Sequence, residues 1–365
     1  RPHLEAQEDL GADLELAAVA AVYARALLLS GAPMDAVAAC ERALVPLERL
    51  GAMPYLVDCL ITRGTAVGEM GRPVEARILL EGAIALADRH DLSHSSIRGR
   101  NNLASVFGPV DAPVALTATE EAFSLARRVG NRSMVLFLAG NLAWWYGQRA
   151  EFGQMEDLLA DPLLEGAPEH HRAVWTLALA TTALVRGESE VGRRLYDEAT
   201  VLGKDDLDEA VINGLAYIEH AFVFYEDLED SYDWALNMAK RDWMGGIYGW
   251  ADAVTAALWT GDRARVSELV AVAQERYAQQ LDRDIRLLRA VLGIEDADHL
   301  DEAKTIVGEW EQQGQPIDAI VARGGIARFL PQGHPERARL LTEAQRRCDE
   351  LGLKGLRVVL DRYVT

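Results

Sequence analysis

The sequence predicts an all-α fold, a right-handed solenoid of about nine helical hairpins. Three observations carry this. A proline recurs every 40 residues, small residues keep fixed offsets around it, and the composition is rich in alanine, leucine and arginine, which favours helix. The stretches GAPMDAV, GRPVEAR and DAPVALT place Pro33, Pro73 and Pro113 in the same register. Ala24, Gly31, Ala36 and Ala43 of the first unit repeat as Gly64, Gly71, Ala76 and Ala83 of the second.

Each part of this frame has a physical role. Gly31 and Gly71 supply the permissive backbone that ends a first helix, and the proline that follows sits at the start of a second, where a missing N–H costs nothing. The small residues let two helix backbones approach closely. Unit three keeps Ala104 and Pro113 but has Asp111 in place of the glycine, and its second helix reaches Ala122 one residue early. Unit four carries Asn141-Leu142-Ala143, a turn near 149–153 and a helix from Met155 to Leu159, with Pro162 and Pro168 marking an irregular connection. Unit five recovers the frame with Ala180, Gly187, Gly192 and Ala199. Unit six reads as a helix from Tyr217 to Tyr225, an acidic turn at 226–230 and a helix from Tyr232 to Lys240. Unit seven shows Gly261 and Ala273, unit eight is a hairpin of Ile285–Gly293 and His299–Gln312, and unit nine opens with GHPERAR at 333. The glycines of ERLG, RRVG and DELG read as left-handed helix stops at Gly51, Gly130 and Gly352.

The Gly64, Gly71, Ala76 and Ala83 spacing resembles the tetratricopeptide repeat, in its long and degenerate form. Rings usual in that repeat are replaced here by Leu27, Val67, Cys40 and Leu80, and the period of 37 to 40 exceeds the strict one. The form is similar to the C-terminal regions of bacterial, and especially actinobacterial, signalling ATPases, LuxR-type regulators and ATPase-linked adenylate/guanylate cyclases. The resemblance implies a domain that senses a ligand or partner and controls an attached ATPase. Arg1 stands where an initiator methionine would, which fits a C-terminal region cut from a longer protein.

Residues 1–365 are expected to form a single repeat domain, regular over 12–131, irregular and aromatic-rich over 132–260, and completed by repeats over 261–365. Arg1–Asp9 and Arg357–Thr365 read either as polar end caps or as ends that leave a terminal face free to form a dimer. A net charge of −20 argues against direct binding to nucleic acid or an anionic membrane surface. The longest apolar run, Leu14–Leu29, is broken by Glu15, Tyr23 and Arg25 and reads as an amphipathic helix. Cys40, Cys59 and Cys348 read as scattered, reduced core thiols of a cytoplasmic protein.

No phosphate-binding loop, nucleophile elbow, zinc-binding His-Glu-x-x-His helix or Cys-x-x-Cys pair is present, so the chain is read as non-catalytic, without cofactor or metal. His90 and His94 share an i, i+4 spacing, but Asp91, Ser93, Ser95 and Ser96 place them in a solvated inter-repeat loop. His170 and His171 mark a helix start. The acidic stretches at 205–209 and 226–233 read as helix N-termini.

The eight tryptophans fall between 144 and 310. They read either as core between helices or as part of a binding groove, since solenoids present their first helices on a concave surface. With Ala24, Gly64, Ala104, Ala143, Ala180 and His220 as equivalent packing positions, Arg25, Arg98, Asn101, Trp144, Thr181 and Tyr217 point toward that groove. Ala21, Ile61, Thr65 and Ser105 occupy places where peptide-binding relatives carry clamp residues, so no carboxylate clamp is expected. The expected partner is a protein or peptide, or a small-molecule effector. The other two readings are a stand-alone peptide-binding adaptor and an enzyme with a site in the aromatic-rich middle.

Overall fold

A computed structural model describes residues 14–108, 111–204, 209–240, 243–276 and 281–364. The fold is all-α. Nineteen α-helices and one 3₁₀ turn, with no strand, are found among the described residues. The chain divides into two compact units, Arg1–Leu138 and Ala139–Thr365, and the division falls close to position 131, where the regular frame lapses.

The first unit holds α1 (Leu14–Leu29), α2 (Pro33–Arg49), α3 (Met53–Glu69), α4 (Pro73–Arg89), α5 (Ser93–Phe107), α6 (Ala112–Arg128) and the start of α7 (Arg132–Gln148). Consecutive helices from α1 to α6 pack on one another, and α3 also touches α1 and α5. Pro33, Pro73 and Pro113 all lie in the first two positions of their helices. Gly31 and Gly71 adopt φ of 75° and 76°, the left-handed turn that the sequence assigns to them. Asp91, with φ 55°, takes the same turn at α4's end, as short polar side chains tolerate it.

Small residues set the helix separations. A Cβ on Gly64 would lie 2.9 Å from Leu80, one on Gly99 would lie 2.7 Å from Ile84, and one on Gly68 would lie 2.5 Å from Val106. Ala24, Ala36, Cys40, Ala43 and Ala76 have no exposed surface. Ser93, Ser95 and Ser96, expected in a loop, instead form the first turn of α5. Ser95 and Ser96 are buried there, because their hydroxyls find carboxylate partners on α3 and α4.

The second unit continues α7 and adds α8 (Phe152–Leu159), α9 (Glu169–Val185), α10 (Ser189–Gly203), α11 (Glu209–Glu226), α12 (Leu228–Ala239), α13 (Trp243–Thr260), α14 (Arg263–Arg276), α15 (Asp282–Leu292), α16 (Ala297–Gln312), α17 (Pro316–Phe329), α18 (Pro335–Leu351) and α19 (Lys354–Val364). From α9 to α18 the helices pack as successive pairs. The expected acidic turn at 226–230 is only Asp227, whose carboxylate accepts from the Glu229 N–H at 2.9 Å, and α12 begins at once.

Helix α19 is not a polar end cap. It packs against α9, α11, α13 and α17 as well as α18, and it buries Leu356, Val359, Leu360 and Val364. Those residues form one apolar stripe on a helix whose charged residues face outward, so burial of the stripe outweighs the polar character of the segment. Tyr363 donates its hydroxyl hydrogen to Asp227 at 2.8 Å and accepts from the Leu228 N–H at 3.1 Å, so it caps a helix far away in sequence. At the other end Gly355 lies against the last turn of α9, where a Cβ would stand 2.1 Å from the Leu184 carbonyl oxygen. Unit two is thus held by contacts between helices distant in sequence, beyond those of neighbouring hairpins.

Two substitutions test this packing in opposite directions. Gly355→Ala places a methyl into backbone and is expected to destabilise unit two by about 2 kcal/mol. Gly82→Ala, at an exposed position of α4 with nothing within 4 Å of the new carbon, is expected to stabilise unit one by up to about 1 kcal/mol. Urea unfolding followed by circular dichroism and tryptophan fluorescence reads both; an unchanged midpoint for Gly355→Ala contradicts the docking of α19.

Candidate functional site

In unit one the first helices α3 and α5 share a polar seam. Asp58, Thr62 and Thr65 follow one face of α3 at helical spacing, and Ser95, Arg98 and Asn102 do so on α5. The Gly99 and Gly68 contacts bring these helices close enough for the two rows to meet. Arg98 is buried and donates through Nη2 to the Asp58 carbonyl oxygen at 2.6 Å and to Asp58 Oδ1 at 3.1 Å. Its Nη1 reaches Thr62 Oγ1 at 3.4 Å. Ser95 donates to Asp58 Oδ1 at 2.8 Å, and Asn102 donates to Thr65 Oγ1 at 2.9 Å. Burial lowers the Arg98 pKa from its ordinary value, Asp58 opposes that shift, and the nearby Arg25 adds to it. Arg98 is thus paired with Asp58 and has the Arg25 guanidinium within electrostatic reach, in a chain that is acidic overall.

The sequence-derived groove residues fall in both units. Arg25 is exposed on α1 and within electrostatic reach of Arg98. Asn101 is half-buried beside Asn102, donating to its Oδ1 at 3.4 Å. These three belong to unit one. In unit two Trp144 is 38% exposed and packs edge-on against Trp145 with ring centres 4.6 Å apart. Thr181 donates its hydroxyl back to the Leu177 carbonyl of its own helix at 3.0 Å. Tyr217 lies in α11, and its side chain falls outside the described residues. Trp145, Trp175, Trp250, Trp259 and Trp310 are buried, so these rings fill the core. Asp58 and Thr62 were not singled out in the sequence. The 40-residue period points to Asp58 directly, because it is the position equivalent to Arg98.

On the other side of α5, Arg100 bonds Asp88 and Glu121, each at 2.9 Å, beside a cavity of about 460 Å³ also lined by Ser93 and Arg128. Burial pushes the Asp88 carboxyl up, and hydrogen bonds from Arg100 and Ser96 outweigh it, holding the group below its ordinary value.

Unit two has its own buried polar centre. His220 stands within 3.0 Å of the Ser231 carbonyl through Nε2, so that nitrogen carries the hydrogen, and its Nδ1 faces Asp252 at 3.5 Å. Its ring stacks on Trp234 at 3.9 Å. Burial raises the Asp252 carboxyl, and His220 lowers it only in part. Elsewhere in the unit burial pushes Asp284 up to about 6 and Asp318 to about 7, the second helped by its charged neighbour Asp284. Asp284 and Asp318 therefore titrate well above the ordinary carboxyl range, Asp318 the higher of the two. Among the described residues no three His, Cys, Asp or Glu side chains converge as a metal-ligand set, and no helix is long and apolar enough to cross a membrane.

Fold and seam together define an all-α protein of stacked helical hairpins with hydrogen-bonded side chains along its first helices. No protein-family model matches the chain, and no curated protein does. Among solved structures it is similar to a circular tandem repeat protein with novel repeat topology and enhanced subunit contact surfaces, at 15% identity and a TM-score of 0.29, over 96% of this chain and 94% of that one.

All eight tryptophans lie in unit two, so their fluorescence reports that unit alone. Asp284 and Asp318 bind protons more tightly folded than unfolded, where a carboxyl titrates near 4. Their contribution is greatest at acidic pH and is lost as pH rises through about 6 and 7. The tryptophan-detected stability is therefore expected to fall by roughly 4 kcal/mol between pH 5 and 8, and to fall much less in Asp284→Asn/Asp318→Asn. A profile that rises over this range contradicts the assignment.

Proposed function

We propose that this chain is a non-catalytic interaction or ligand-sensing region of a larger bacterial signalling regulator, built on degenerate tetratricopeptide-like hairpins, and that it works in the cytoplasm. The observation that carries the reading is the α3–α5 seam with Arg25 beside it. It is a row of charged and amide groups presented by first helices, held rigid by buried hydrogen bonds and ready to meet a peptide or a small effector. A stacked array supports such a role because each hairpin adds surface while the backbone stays fixed.

The recognition chemistry favoured by the seam is anionic. Asp58 pairs with Arg98, and Arg25 is exposed within electrostatic reach of Arg98, so Arg25 is the guanidinium that this face offers to a partner. The acidic remainder of the chain repels non-specific polyanions such as nucleic acid. An acidic peptide segment or a small carboxylated effector fits better, because it can meet the exposed Arg25 guanidinium without spreading over the negative surface.

Arg25→Glu reverses charge at an exposed position and is expected to leave circular dichroism and the unfolding midpoint within about 0.5 kcal/mol of the parent. The same change is expected to weaken capture of the partner, read by quantitative mass spectrometry of proteins retained from a native lysate, at least tenfold. Unchanged retention of every captured protein in Arg25→Glu would overturn the seam as the recognition surface. Reading the coding sequence upstream of Arg1 tests the larger-regulator part separately: an ATPase, cyclase or DNA-binding module in frame is expected, and a start codon directly before Arg1 contradicts it.

A further inference from the structure

Two of the three cysteines are neighbours in space. Cys40 lies in the middle of α2 and Cys59 in the first half of α3, and neither has exposed surface. Cys40 Sγ stands 3.5 Å from the Cys59 carbonyl oxygen, while Cys59 Sγ stands 3.7 Å from the Cys40 carbonyl oxygen. A reciprocal contact of this kind requires both side chains to enter the same gap from facing backbones. The gap is narrow because the surrounding cluster is largely alanine, with Ala17, Ala20, Ala21, Ala24 and Ala43 fully or almost fully buried. The sequence reading of scattered thiols holds for Cys348, which sits apart in unit two.

We propose that Cys40 and Cys59 are a dithiol–disulfide pair that reacts with hydroperoxides and so joins α2 covalently to α3. The surroundings divide the labour between the two sulfurs. A hydrogen bond from Cys59 favours the thiolate of Cys40 against the opposing effect of burial, and the Arg63 and Arg98 guanidiniums favour it further. The same hydrogen bond, with burial, raises the pKa of Cys59, so Cys40 is the attacking group and Cys59 the resolving one. Cys348, pushed up to about 12 by burial, stays a thiol.

The chemistry balances without a cofactor. The Cys40 thiolate attacks one peroxide oxygen, the O–O bond breaks, and the departing hydroxide takes a proton to leave as water. Cys40 is now a sulfenic acid. Cys59 gives up its proton and attacks the Cys40 sulfur, the S–O bond breaks, and a second water leaves. Two thiols and one hydrogen peroxide become one disulfide and two waters; each sulfur loses one electron and each peroxide oxygen gains one. Because neither sulfur is exposed, reaction proceeds through local opening of α2 from α3. Asp58 adjoins Cys59, so the bridge also restrains the carboxylate that anchors Arg98.

The full chain is treated with hydrogen peroxide, once at 25 °C and once just below its unfolding midpoint where opening is frequent, then denatured, alkylated and digested for mass spectrometry. The expected product is two hydrogens lighter, has one alkylated cysteine, Cys348, and yields a peptide pair bridged between Cys40 and Cys59 that dithiothreitol separates. Cys59→Ser is expected to trap Cys40 as a sulfenic acid that dimedone labels, and Cys348→Ser to bridge like the parent. Three alkylated thiols under both conditions, a bridge between two chains, or sulfinic acid at Cys40 without a bridge would each overturn the pair.

Discussion

Two helices can lie with backbones nearly touching only where neither places a side chain in between. In this chain glycine and alanine meet that condition at regular intervals. Gly64 makes room for Leu80, Gly99 for Ile84 and Gly68 for Val106, and each of these contacts would be broken by one added carbon. Close approach is what allows short side chains such as Asp58, Thr62 and Ser95 to reach across from one first helix to the next. It also brings Cys40 and Cys59 into reciprocal contact. The polar seam and the thiol pair are two results of the same spacing.

The period has a further consequence. Residues forty apart occupy equivalent places in neighbouring units, so each position meets a version of itself one hairpin along. Asp58 and Arg98 are such a pair, opposite in sign, and they join where two identical charges would repel. Cys59 and Gly99 are another equivalent pair, and here the absence of a side chain on α5 lets Ile84 and Ile61 close over the site. A repeat that drifts in sequence can thus write chemistry between its units while keeping the scaffold.

Much of this was legible because it is local. The proline at a helix start, the glycine in a left-handed turn and the alanines on the packing face are decided within one hairpin, and Pro33, Gly31, Gly51, Gly130 and Ala43 sit where the pattern puts them. What was illegible depends on partners outside the hairpin. Gly355 looks unremarkable until the last turn of α9 lies against it, and the apolar stripe of α19 is short enough to pass for a polar terminus beside Arg357, Asp361 and Arg362. Ser95 and Ser96 read as loop residues for the same reason: their carboxylate partners lie on α3 and α4. In the candidate site, Arg98 stands at a register position that the sequence marks, but its burial against Asp58 depends on a helix one hairpin away.

The most direct measurement of whether the period joins neighbouring units through complementary charge is a double-mutant cycle on Asp58→Ala and Arg98→Ala. Stability is read from native-state hydrogen exchange of α3 and α5 amides. The two changes are expected to be non-additive, with a coupling of 1 kcal/mol or more, on the order found for buried charge pairs in direct contact. Additivity within ~0.3 kcal/mol would mean that the two residues stabilise their helices independently, and the seam would not be the joint between units one hairpin apart.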